Sequence, residues 1–84
     1  DRALRAVLAQ HPGCAFAHQS LARNLHAEGR FLAAADAYEQ ALRADPKRFD
    51  ARRERAEVLV EIGRWDEAAA EFQTYLDAVP EDDP

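Results

Sequence analysis

Two stretches, Gly29 to Pro46 (GRFLAAADAYEQALRADP) and Gly63 to Pro80 (GRWDEAAAEFQTYLDAVP), decide how this chain reads. Their first residues stand 34 apart, and matched side chains recur at that interval: Arg30 and Arg64, Phe31 and Trp65, Ala34 and Ala68, Tyr38 and Phe72, Leu42 and Leu76, Pro46 and Pro80. A fixed period of this length marks stacked structural repeats. Within each stretch the apolar positions have helical spacing. Phe31, Ala34, Ala35, Tyr38, Ala41 and Leu42 form one stripe, and Trp65, Ala68, Ala69, Phe72, Leu76 and Val79 form the next. Asp45-Pro46 closes the first stretch, because the residue before proline is pushed out of the helical region.

Working outward, Ala15 to Glu28 reads as a helix with Ala17, Leu21, Ala22 and Leu25 inward and Gly29 as a left-handed end cap. The turn to Phe31 is so short that the two helices must run antiparallel. Phe49 to Ile62 lies one period later. Its branched run Val58, Leu59, Val60 and Ile62 has strand character, but the register and the preceding ARRERAE segment favour a helix. Asp1 to His11, with Leu4, Val7 and Leu8 on one stripe, ends at Pro12-Gly13. Pro12 is 34 residues before Pro46, so this segment is the second half of a preceding unit. Five helices are expected in a single domain over 1–84: a partial repeat at 1–12, full repeats at 13–46 and 47–80, and an acidic tail at 81–84.

The A-x₃-F/Y…P frame carried by Ala34, Tyr38 and Pro46, and again by Ala68, Phe72 and Pro80, resembles the tetratricopeptide repeat, a family of helix–turn–helix units. The resemblance implies an all-α fold, a right-handed superhelical stack of antiparallel helix hairpins. The first-helix half departs from the family pattern. His18 and Arg52 replace its aromatic, Ala22 and Ala56 its glycine, and Leu25 and Leu59 its tyrosine. Arg55 stands where Leu21 stands one repeat earlier, and is expected to lay its stem over the core and send its head to solvent. Small residues at Ala22, Ala34, Ala56 and Ala68 would let helices cross closely. Tyr75 replaces Ala41 at another such site, and would obstruct a further repeat.

Composition narrows function. The 84 residues make one small domain with a modest buried fraction. No methionine occurs, and the chain is expected to be an excerpt or processed product of a longer protein. Net charge is −5, unevenly held: residues 1–48 carry seven basic and five acidic side chains, residues 49–84 four and eleven. That balance argues against nucleic acid, whose phosphates need a basic stripe. The longest apolar run, Val58 to Val60, is too short to span a bilayer, and no membrane association is expected. The compartment is left open, with the cytoplasm favoured. Cys14 is the lone cysteine, so no internal disulfide forms.

No catalytic or cofactor motif is present, and an enzyme is not expected. His18 and His26 lie eight residues apart on one helix, more than two turns, while zinc ligands sit one turn apart or converge from several elements. Ser20 lacks a glycine elbow, and the three glycines form no phosphate loop. Glu67 and Glu71 are expected on the outer side of the last helix.

In the family the first helix of each unit lines the concave side. Phe16, Gln19, Arg23 and His26 share one helical face, repeated 34 residues later by Asp50, Arg53, Glu57 and Val60. These two rows are the expected binding surface for an extended peptide or a partner helix. Phe16 would make apolar contact, Arg23 and Arg53 would hold an anion or carboxylate, and Gln19 and Glu57 would form hydrogen bonds. The plainer alternative is an exposed Arg23–Glu57 pair. The Lys/Asn clamp by which some relatives hold a C-terminal carboxylate is not reproduced, since Gln19, Arg23 and Glu54 stand at its positions. The alternative function is a spacer or oligomerisation segment of a larger protein, an enzyme included, with a homodimer forming through Phe72, Tyr75, Leu76 and Val79 of the last helix.

Overall fold

The computed structural model describes residues 2–78. The expected Val79 contact, Pro80 and the acidic tail lie outside these residues. Five helices follow in order: α1 Arg2–Gln10, α2 Ala15–Ala27, α3 Phe31–Ala44, α4 Phe49–Ile62 and α5 Trp65–Ala78. Among the described residues there is no strand, and the branched run at Val58 is helical.

Each hairpin turn is set by one glycine. Gly29 has φ +80° and Gly63 φ +90°, conformations that cost a side-chain-bearing residue strain. The reversal lets Arg30 N–H donate to the Leu25 carbonyl and Gly29 N–H to that of His26. Arg64 and Gly63 repeat the arrangement on Leu59 and Val60. These crossed bonds satisfy carbonyls that a helix end would leave bare, and they turn the chain sharply into the next helix.

The core is a stack of short side chains between longer ones. Ala22, Ala34, Ala56 and Ala68, the four small residues expected at helix crossings, are all buried. They let α2 close on α3 and α4 on α5, while Leu21, Leu25, Tyr38, Leu42, Val58 and Leu59 fill the space between layers. Val58 and Leu59 are fully enclosed. Leu4 and Leu8 of α1 pack on this core from one end, but Val7, expected on the same stripe, is exposed.

The last helix corrects a larger part of the expectation. Of its predicted inward residues only Ala68 is buried; Ala69 is exposed, and Trp65 and Leu76 are 64% and 65% exposed. Leu42, the equivalent of Leu76, is 9% exposed because α4 covers it. The periodic pattern encodes a face that needs a following helix, and within the described residues nothing packs on that side of α5.

Charge placement also differs from expectation. Glu71 does not point outward: its carboxylate accepts from Arg52 Nη1 at 2.9 Å and from Arg55 Nη1 at 2.6 Å, with all three side chains largely buried. Arg55 therefore spends its head group on Glu71 rather than on solvent. Two adjacent cations facing a single carboxylate across the α4–α5 crossing draw it inward, since each desolvated charge needs a partner. Glu67 stays exposed, 3.6 Å from Arg64.

Candidate helix-lined binding face

Three of the residues expected on the concave side, Gln19, Arg23 and Arg53, meet around a carboxylate that none of the periodic matches singled out. Glu54, on α4, accepts from Arg23 Nε at 3.0 Å and Nη2 at 2.7 Å, a two-point grip across the α2–α4 junction, and from Gln19 Nε2 at 3.3 Å. Gln19 in turn accepts from Arg48 Nη1 at 3.0 Å. Arg53 lies 4.0 Å from the same carboxylate and donates to Glu57 at 2.9 Å. The anticipated Arg23–Glu57 pair does not form; Arg23 takes Glu54 and Glu57 takes Arg53. The reason is helical phase, because Glu54 faces α2 while Glu57, three residues on, shares the outer face with Arg53.

Burial presses the Glu54 carboxyl toward neutrality and is the largest single influence on it. The hydrogen bonds from Arg23 and Gln19, the charge of Arg23 and a hydrogen bond from Tyr38 together outweigh that influence and hold it below the usual carboxylate value. The Tyr38 phenol is pushed up, first by burial and then by the charge of Glu54. Arg23 is held more firmly charged, chiefly by its hydrogen bond to Glu54. One amide and one guanidinium from α2 and one carboxylate from α4 thus tie these two helices together.

Above this lattice the remaining residues are distributed as follows. Gln19 is 3% exposed, with its amide nitrogen and oxygen both engaged, so it lies beneath the face. Phe16 is 61% exposed, with the Arg48 guanidinium 6.0 Å from its ring centre. Asp50, Glu57 and Val60 are exposed, Arg53 is half-buried, and His26 is half-buried with its ring edge-on to Phe31 at 5.5 Å. The face therefore offers the exposed aromatic Phe16, the exposed Val60 on α4, and the charges Arg23, Glu54, Arg53 and Glu57 already paired with one another. The 34-residue period gave no signal for Glu54 or Arg48: position 20, one period before Glu54, is a serine, and position 14, one period before Arg48, is a cysteine; Glu54 stood out only as a departure from the family's clamp.

The chain matches the tetratricopeptide repeat family over residues 20–83, most of its length. It belongs to the tetratricopeptide repeat family. No curated protein matches it. Repeats of this family generally act as scaffolds for protein–protein interaction, and the paired helices of this tetratricopeptide domain are the elements that such scaffolds present. Among the described residues no three His, Cys, Asp or Glu side chains are grouped to hold a metal ion, and no helix is long and apolar enough to cross a membrane.

Proposed function

We propose that this tetratricopeptide domain is a protein-binding module whose α2–α4 face receives an extended peptide or a partner helix. The observation that carries the reading is the locked α2–α4 junction. Glu54, Arg23 and Gln19 fix the spacing of the two helices, while Phe16 and Val60 stay exposed above them. A preorganised face of this kind loses little entropy on binding. Phe16 supplies the apolar anchor. Arg53, Asp50, Glu57 and the remaining donors of Arg23 supply polar contacts, His26 borders the face, and Gln19 supports it from below.

The test is a photo-crosslinking residue placed at position 16 and, as a control, at Ala44 on the end of α3. Position 16 is expected to capture a discrete partner set that Val60→Glu abolishes while helicity is unchanged. Capture that is equal from both positions, or insensitive to Val60→Glu, overturns the assignment.

A second reading, self-association through α5, is favoured by the exposure of Trp65 and Leu76 beside half-buried Phe72 and Tyr75. Sedimentation across concentration separates the two, because a strict monomer leaves only the first.

A further inference from the structure

The two repeats differ most in a groove on a separate set of surfaces, where α1 and α3 flank α2. It encloses about 310 Å³, at the small end of ligand-pocket sizes, and its floor is made by Leu8, Leu21, Leu25 and Ala37. Arg5, His18 and Arg30 border it, with Asp36 and Gln40 along the α3 side.

One period later, the corresponding space between α3, α4 and α5 is filled by the protein itself. Ala37 becomes Glu71, His18 becomes Arg52 and Leu21 becomes Arg55, and these three form the largely buried ion-pair cluster described above. Ala33 becomes Glu67 and Arg5 becomes Glu39, while Asp36 becomes Ala70, so these positions hold three acids in the second repeat and one, Asp36, in the first. In the first repeat the internal carboxylates are gone, the floor is aliphatic, and two cations remain on the rim. Among the described residues neither Arg5 nor Arg30 makes an ion pair, although seven other arginines do. His18 is fixed by donating Nε2–H to the Pro12 carbonyl at 2.7 Å, which keeps its ring at the groove edge.

We propose that the α1–α3 groove is a second peptide site, which takes a segment bearing carboxylates on either side of leucine-like side chains. The aliphatic groups lie on Leu8, Leu21 and Leu25. The carboxylates reach Arg5 and Arg30 and supply from outside what Glu71 supplies from within in the next repeat. Asp36 disfavours an acid beside it on α3 and thereby orients the segment. A peptide, rather than a compact small molecule, suits a groove that is open along two helices and has its cations on separate elements, Arg5 on α1 and Arg30 in the α2–α3 turn. This site shares no residue with the α2–α4 face, so either can fail without the other.

The experiment is an NMR titration of the isotope-labelled chain with acetyl-Asp-Leu-Leu-Glu-amide. Saturable shifts are expected at Leu8, Leu21, Leu25 and Ala37, with those of the α2–α4 face unmoved. Arg5→Glu with Arg30→Glu changes two exposed, unpaired side chains and should weaken binding roughly tenfold or more. Ala37→Glu should abolish it by filling the groove as Glu71 does. Replacing the peptide's acids by amides should weaken binding to a similar degree, and raising the salt concentration should do the same more gently. The site is refuted by any of three results: no saturable shift at millimolar peptide, shifts centred on Phe16 and Val60, or undiminished binding by the double arginine variant. If Ala37→Glu fails to fold, the double variant alone decides.

Discussion

Glu54 shows how a single residue can set the geometry of a repeat stack. Its carboxylate is shared by Arg23 and Gln19 of α2, so removing it leaves several donors without an acceptor. Glu54→Gln should cost about 1–3 kcal/mol at neutral pH, since charge-assisted bonds are replaced by weaker ones. Its pH signature is specific. A carboxyl held below its ordinary value of 4.5 when folded stabilises the protein at pH above that value, and the contribution is lost as pH falls through the depressed folded value. Urea unfolding followed from neutral to acid pH should therefore show a shallower acid loss for Glu54→Gln than for wild type. Parallel pH profiles would mean that the carboxylate is not held as described. The same residue limits what can be done at Arg23: a substitution there unpairs Glu54, and any effect on binding would be mixed with one on stability.

At the scale of elements, the α4–α5 hairpin balances a buried charge cluster against packing. Arg55 stands where the first repeat has Leu21, and its Nε is buried without a partner. Two guanidiniums face one carboxylate, and Arg52 alone is enough to pair Glu71. Arg55→Leu is accordingly expected to leave stability within about 1 kcal/mol of wild type, on the neutral or stabilising side. Glu71→Ala strands two partly buried cations and should cost about 2–4 kcal/mol. Thermal or urea denaturation of the two variants checks this, and a more damaging Arg55→Leu than Glu71→Ala would overturn it. Helix boundaries, by contrast, were open to sequence reading, because glycines at 29 and 63 and prolines at 12 and 46 fix where helices stop by local sterics alone.

For the whole molecule, identical side chains at equivalent repeat positions have unequal energetic roles. Leu42 lies under α4, while Leu76 lies on the uncovered side of α5. Leu42→Ala should destabilise by about 2–4 kcal/mol, and Leu76→Ala by no more than about 0.5 kcal/mol. Equal losses in urea unfolding would show that something packs on α5. Repeating the measurement across protein concentration would reveal whether that something is a second copy. The asymmetry also separates the two halves in charge: the acid-rich second half neutralises its own arginines, and the first half keeps Arg5 and Arg30 free at the groove between α1 and α3.

The amino-acid order by itself determined the repeat, its 34-residue period, five helices and the four buried alanines at helix crossings, Ala22, Ala34, Ala56 and Ala68, since each depends on local spacing and on side-chain size at fixed helical phase. Only the tertiary structure decided which charges meet. Arg23 reaches Glu54 rather than Glu57, Arg52 and Arg55 turn Glu71 inward, and Gln19 is drawn beneath the surface. Those choices depend on the rotation of one helix against its neighbour, a few ångströms that hydrophobic periodicity does not specify and that long, flexible charged side chains resolve only once the backbones are in place.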